Sequence, residues 1–216
     1  MNKALNYEQI YEYDIELIKS IQEKYKDDNE LAWKVFRTFY QDPDGYPVGD
    51  TYREIGGVKC TADALMSIKR IFEFENGFNA NFREAFVKYR ESPIFFFPCE
   101  QNGINQSRRY KSTFDDRIDY TLYDIKTYYD NKMNAKKCIL KDAFMKAKTN
   151  KWLKNLGSFD SLIKEYDISG IFVDKTGNVY NIETGDVIEE VPEKIEYTEG
   201  YYNNLKSMID KWKGRH

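Results

Sequence analysis

Histidine is almost missing from this chain: the single one is His216, the last residue. A histidine-ligated metal site and a histidine-based nucleophilic triad therefore lack their principal residue. Cysteine is nearly as scarce. Cys60, Cys99 and Cys138 are widely spaced and form no CxxC pair, which argues against a secreted disulfide scaffold and for a reduced, cytoplasmic protein. No apolar run approaches the roughly 20 residues needed to span a bilayer. The N-terminus turns polar and acidic within a few residues, unlike a signal peptide. Neither sign of charge dominates: 33 basic against 36 acidic residues give a net charge of -3. A general polyanion binder would be basic, although a local basic patch stays open. The Gly56-Gly57 pair carries neither GxxxxGK[ST] nor GxGxxG around it, so no phosphate loop of those types is present.

What the chain does have is aromatic bulk. Of 216 residues, 41% are hydrophobic and 16% aromatic, with 18 Tyr and 14 Phe. That is enough to build a core and excludes disorder of the whole chain. One domain, alone or with a small appendage, is the expectation from length.

Taken in order, Tyr7 to Tyr25 reads as a helix with Ile10, Leu17, Ile18 and Ile21 on one side. Glu30 to Gln41 forms a second helix, and the two suit a helical hairpin with a short connection. Asp42-Pro-Asp-Gly-Tyr-Pro is a turn. Asp42, Asp44 and Asp50 lack the acidic spacing of an EF-hand, so turn chemistry outweighs a cation loop there. Thr51 to Val58 suits a short strand ending at Gly56-Gly57, and Thr61 suits the cap of a helix running to about Glu75. Asn81 to Arg90 suits another helix.

The centre of the chain is Ser92 to Asp130. Ile94-Phe95-Phe96-Phe97 is bounded by Pro93 and Pro98. A short, closed, unalternating aromatic run predicts a strand buried on both faces. Cys99 to Lys111 is loop chemistry, rich in amides (Gln101, Asn102, Asn105, Gln106) and ending in Arg108, Arg109 and Lys111. Cations and amides that close together can hold a phosphate or carboxylate, since guanidinium forks match planar anions. Ser112 or Thr113 then reads as an N-cap with Asp115 and Asp116 in the first turn. Phe114, Ile118, Leu122, Ile125 and Tyr129 make one apolar stripe, with Arg117 at its edge and Asp116, Tyr120 and Tyr123 pointing away.

This stretch resembles a family of uncharacterised bacterial and phage proteins. The matching elements are Phe97-Pro98, then Ile104-Asn105 with Arg108, then Asp116-Arg117-Ile118-Asp119 with Thr121-Leu122. The likeness continues through Trp152-Leu153-Lys154-Asn155-Leu156-Gly157 and Phe159 to Ile168. It covers a third to a half of the chain. Ile118 departs from the family's aromatic, and Arg109 stands where the family has glycine. The resemblance implies a shared core and brings no activity with it.

Lys132 to Asn155 reads as a basic amphipathic helix: Lys132, Lys136, Lys137, Lys141, Lys146, Lys148, Lys151 and Lys154 against Asp142 alone, with Leu140, Ala143, Phe144 and Ala147 as its apolar face. Such a helix can bind nucleic acid, an acidic membrane or an acidic partner. A solvated face balancing acidic neighbours is the plainer reading. Ser158 suits the cap of a short helix to Tyr166. Ile171 to Ile188 reads as a β-meander turning at Thr176-Gly177 and Thr184-Gly185. An acidic segment around Pro192 follows, one that could face the lysine-rich stretch. Thr198 or Tyr201 opens a last helix with Tyr201, Leu205, Met208 and Trp212 in a stripe.

These readings add up to an α+β fold. It is a mostly helical single domain with a small sheet, a C-terminal β-meander and a docked final helix, divisible as a helix-rich core at 1–166 and the meander plus final helix at 167–216. Its function is expected to be non-enzymatic binding of a phosphate-bearing ligand, a nucleotide or a nucleic acid, through Asn105, Gln106, Arg108, Arg109 and Arg117. Against this stand Arg108 and Arg109 as surface charges, and Arg117 paired with Asp115, Asp124 or another carboxylate. The alternative is a protein-interaction inhibitor or decoy from a phage or mobile element, acting in defence or counter-defence. A second alternative is a carboxylate- or metal-dependent hydrolase using Asp116, Asp119 and Glu100. Cys99 has no internal histidine to activate it as a nucleophile. No cofactor, no metal and no membrane partner is expected.

Overall fold

Two adjacent glycines decide the sheet. In the computed structural model of the chain, which describes residues 20–21, 23–24, 52–63, 95–108, 117–193, 195 and 198–215, Gly56 and Gly57 take φ of 59° and 65°. Two consecutive left-handed residues make the tight turn that matches the twist of a hairpin. β1 (Tyr52–Ile55) and β2 (Val58–Asp63) pair antiparallel around it, Ile55 opposite Val58. β3 (Phe95–Pro98) joins β2 antiparallel, Thr61 opposite Phe97, giving the order β1-β2-β3. Thr61 therefore lies inside a strand and does not cap a helix. The reversal at the glycine pair sends the chain back along β1, where ladder hydrogen bonds claim its backbone.

The Phe run is buried as its pattern requires. Phe97 meets Trp152 edge-on with ring centroids 6.0 Å apart, and Phe95 packs on Tyr166 and Phe172. Phe96 carries the Arg53 guanidinium 4.6 Å above its ring.

The helices that follow are α1 (Ile104–Gln106), α2 (Ile118–Tyr129), α3 (Lys141–Phe144), α4 (Ala147–Leu156), α5 (Phe159–Glu165) and α6 (Glu199–Lys213). α2 departs from the expected single stripe: every residue from Ile118 to Ile125 is buried, Tyr120 and Tyr123 included. The reason is that the C-terminal third covers its other side. Ile118 N–H donates to the Tyr201 hydroxyl, Asn181 donates to the Tyr120 hydroxyl, and the Tyr123 hydroxyl donates to the Glu189 carbonyl. Arg117 is extended (φ -75°, ψ 95°) and precedes the helix. The expected caps Ser112 and Thr113 lie outside the described residues, as do the helices expected over 30–41 and 81–90, residues 64–75 of the helix expected from Thr61, and the turn at 42–47. Of the first expected helix, the described residues are helical and Ile21 is buried.

The lysine-rich stretch is not one helix. Residues 130–140 form turns, with Asn131 at φ 57°, and α3 and α4 are separated at Lys146, whose ψ is 147°. Cross-chain contacts explain the break. Lys136 donates to the Glu189 carbonyl, Lys137 to the Pro192 carbonyl, and Leu140 N–H to the Asp124 carboxylate at 2.8 Å. α4 closes on Gly157 (φ 79°), and Ser158 caps α5 by accepting from Ser161 N–H. The β-meander is built from isolated bridges, Val173 to Val179 and Tyr180 to Val187, with turns at Gly177 and Gly185. Thr198 caps α6, which buries Tyr201, Tyr202, Leu205 and Ile209. The result is a mostly helical α+β domain with a small antiparallel sheet. Among the described residues no helix is long and apolar enough to cross a membrane.

Candidate functional site

The expected binding loop begins where β3 runs out. Gly103 N–H donates to the Glu100 carbonyl at 3.1 Å, and Ser107 N–H to the Gly103 carbonyl at 2.9 Å. Asn102 takes φ 56°, and its N–H donates to Gln106 Oε1 at 2.7 Å. These bonds wind Glu100 to Arg108 into one tight turn around α1. A Cβ at Gly103 would stand 3.0 Å from the Glu100 carbonyl oxygen, a tight contact that the turn would have to yield to admit. Ile104 anchors the turn in the core.

Two of the expected ligand residues face inward from it. Asn105 Nδ2 donates to Thr61 Oγ1 at 3.2 Å, while Asn105 Oδ1 is buried and has no hydrogen-bond partner. Turning the carboxamide over would exchange an unmet acceptor for an unmet donor, so one end is left over in either orientation. Arg108, one turn on, is fully buried. Gln106 is exposed and holds the Asn102 N–H. Arg109 lies outside the described residues.

The neighbouring wall is α4. Glu100, at the start of the loop, reaches its N-terminus and accepts from Lys148 N–H at 3.0 Å, Thr149 N–H at 2.9 Å and Thr149 Oγ1 at 3.0 Å. Burial alone would raise the Glu100 carboxyl, but these bonds and the Lys148 charge hold it below its ordinary value. One turn further, Trp152 is fully buried against Phe97, and its Nε1–H has no hydrogen-bond partner. Thr61, opposite Phe97 in the ladder, links Asn105 to this layer. So the Asn105 end of the loop, the Phe97 strand and the Trp152 helix form one neighbourhood with two unmet buried polar atoms. Trp152 was outside the residues expected to bind. The sequence signals only an apolar position within a helix, which does not reveal an idle indole N–H.

Arg117 belongs to a different arrangement. Its Nε and Nη2 donate to the two Asp119 oxygens at 3.0 and 2.8 Å. Nη2 also meets Asn181 Oδ1 at 3.3 Å, and Nη1 meets Glu183 Oε2 at 3.5 Å. The Tyr201 and Tyr120 rings lie 4.3 and 4.7 Å from the guanidinium carbon. Asp119 additionally accepts from Tyr120 N–H and Ile182 N–H. Arg117 therefore joins the start of α2 to the meander and to α6, and its carboxylate partner is Asp119. Burial opposes its charge, but the Asp119 carboxylate raises its pKa.

Of the carboxylates considered for acid–base work, Asp119 and Glu100 are thus committed to internal hydrogen bonds, and Asp116 lies outside the described residues. Cys99 is exposed. Among the described residues no cluster of His, Cys, Asp and Glu is suited to a metal ion. A further buried titratable group is Asp124, expected only as a candidate partner of Arg117, which pairs with Asp119 instead. Asp124 is fully buried within α2, Oδ2 accepts from Leu140 N–H, and burial pushes its carboxyl up to about 7. An open groove of about 620 Å³ lies elsewhere, lined by Lys136, Asn178, Val187, Ile188, Glu189 and Glu190. Lys136 spends its charge there on the Tyr123 hydroxyl and the Glu189 carbonyl.

The model of one protein family, described as a family of unknown function (DUF6994), matches residues 62–215. No curated protein and no solved structure matches the chain.

Proposed function

The chain belongs to the DUF6994 family, and we propose that it is a non-enzymatic binding protein for a phosphate-bearing ligand, a nucleotide or a nucleic acid, held at the Asn105–Arg108 turn. The observation that carries this reading is the buried, unmet Asn105 Oδ1 one turn before a fully buried arginine. A buried polar atom without a partner costs about 1–3 kcal/mol. A ligand that brings a hydrogen-bond donor answers the Asn105 demand, and a phosphate suits the guanidinium fork of a nearby arginine. Asn105 and Arg108 are also the residues of the Ile-Asn-x-x-Arg element.

The commitment of Glu100 and Asp119 to internal bonds favours binding over hydrolysis. The test is to purify the protein from cells and compare native with denatured samples by mass spectrometry, beside an absorbance scan. The expected result is release of a molecule with a phosphate-containing mass. Its absence, together with no binding of added nucleotides or oligonucleotides, overturns the reading and makes a protein-partner pull-down the next step.

A further inference from the structure

We propose that the open edge of the meander at Val187 is a docking strip for an extended segment of a partner protein, one that carries a lysine or arginine beside an apolar residue. This surface is separate from the Asn105–Arg108 turn and does not rest on the binding function proposed above. The first observation is an unused pair of backbone groups. Val187 bridges Tyr180 antiparallel. The bonds flanking that bridge run from Asn181 N–H to the Asp186 carbonyl and from Ile188 N–H to the Val179 carbonyl. In a pair of this kind, each residue's own N–H and C=O point away from the opposite strand. Those of Val187 therefore face outward, and among the described residues no hydrogen bond reaches them. An outward N–H and C=O on one residue is what an added strand binds.

There is room beside this edge and an apolar side chain on it. Val187 lines the groove of about 620 Å³ and is 42% exposed, one of two large apolar side chains left in solvent among the described residues. The edge is also fixed in place. Ile188 and Val191 are buried, and the Glu189 carbonyl accepts from the Tyr123 hydroxyl and from Lys136 Nζ. An incoming segment thus meets a preformed surface and orders only itself. The same two bonds close the edge at the Glu189 carbonyl, so the contact is short. One residue of the partner exchanges both hydrogen bonds with Val187.

The second observation is charge. Asp186, Glu189 and Glu190 stand exposed around Val187. Lys136, the cation of the groove, is engaged by the Tyr123 hydroxyl and the Glu189 carbonyl. Opposite charges facing each other across a strand pair stabilise it, and like charges destabilise it. A second copy of this chain would bring the same acids to the edge, and a nucleic acid would bring phosphates. An antiparallel segment with an apolar residue opposite Val187 places the residue two positions earlier opposite Glu189, on the same face. A lysine or arginine at that position meets the acids.

The experiment titrates the full chain with a set of synthetic peptides of about ten residues that alternate Lys or Arg with Val, Ile or Leu. Matching peptides with Glu in place of the cations are titrated in parallel. Binding is read by fluorescence anisotropy and by backbone amide shifts of the isotope-labelled protein. The expected result is one-to-one binding of basic peptides alone, with the shifts centred on Val187. Glu189→Lys combined with Glu190→Lys should weaken it by roughly tenfold or more. Val187→Pro deletes the outward N–H, keeps both acids and should weaken it as much. Should that variant fail to fold, the position of the shifts in the wild-type protein decides. No binding by any basic peptide, equal binding of the acidic set, shifts away from this edge, or indifference to the charge reversal each overturns the proposal. A dimer that forms through this edge, with no peptide bound, also overturns it and makes a second copy the occupant. None of these outcomes bears on the phosphate-binding function.

Discussion

Removing the Asp119 carboxylate leaves the Arg117 guanidinium buried between Tyr120 and Tyr201 without its bidentate partner. Truncating one member of a buried pair costs about 3–5 kcal/mol because the other charge stays behind. Asp119→Ala should lower the unfolding free energy by that order in a urea titration. A change under about 1 kcal/mol would mean that the pair is not closed in solution. The pair was only half legible. An arginine at the edge of a buried face invites a carboxylate, but two residues apart on a helix do not meet. They meet here because Arg117 is extended and reaches over the first turn of α2. Asp124 gives a residue-scale prediction with a pH sign. Its folded pKa, about 7, is raised above the ordinary 3.8 by burial. Folding therefore favours the protonated form, and stability falls as pH rises from about 4 to about 7, by up to about 4 kcal/mol. Asp124→Asn keeps an oxygen for Leu140 N–H and should flatten this slope, stabilising the protein at pH 8. An unchanged slope would place the titrating group elsewhere.

At the scale of elements, α4 lacks a capping side chain of its own at Lys146 and borrows one from the β3–α1 loop. Glu100→Ala removes the acceptor for Lys148 N–H, Thr149 N–H and Thr149 Oγ1. It should cost about 1–2 kcal/mol, as loss of a helix cap does, read from the denaturant midpoint. Glu100→Gln should recover part of it. Because the folded Glu100 pKa is lowered, this contribution is present above the carboxylate's unfolded pKa and is lost as pH falls through the folded one. The caps that the sequence announced are those whose partners lie three residues away, Ser158 on Ser161 and Thr198 on Tyr201. The buried strand was equally plain, since three phenylalanines before a proline have few alternatives. Glu100 and the α4 N-terminus are 48 residues apart, and no local pattern links them. The Gly56–Gly57 hairpin was legible in part. The pair marked the end of β1, but the residues after it read as the approach to a helix capped by Thr61 and not as the returning strand.

For the whole molecule, the question is what the last helix contributes. Tyr201 covers Arg117 and accepts from Ile118 N–H. Asn204 donates to the Ile182 and Glu183 carbonyls, and Trp212 Nε1 donates to the Tyr166 carbonyl at 2.8 Å. α6 therefore touches the start of α2, the meander and the end of α5 at once. Its apolar stripe was visible in the sequence, but these three destinations depend on side chains far apart in the chain. Tyr201, Tyr202, Leu205 and Ile209 are buried, and at about 1.5–3 kcal/mol each their burial contributes roughly 6–12 kcal/mol as an upper estimate. That is comparable with the entire stability of an ordinary domain, about 5–15 kcal/mol. A chain ending at residue 197 should consequently lose its cooperative thermal transition and its near-ultraviolet circular dichroism. Trp212→Phe, which forfeits one hydrogen bond, should keep both and lose about 1 kcal/mol. A truncated chain that still melts in one sharp step close to the full-length temperature would show that the core up to the meander folds without α6. Arg117 would then have to be held without the Tyr201 ring.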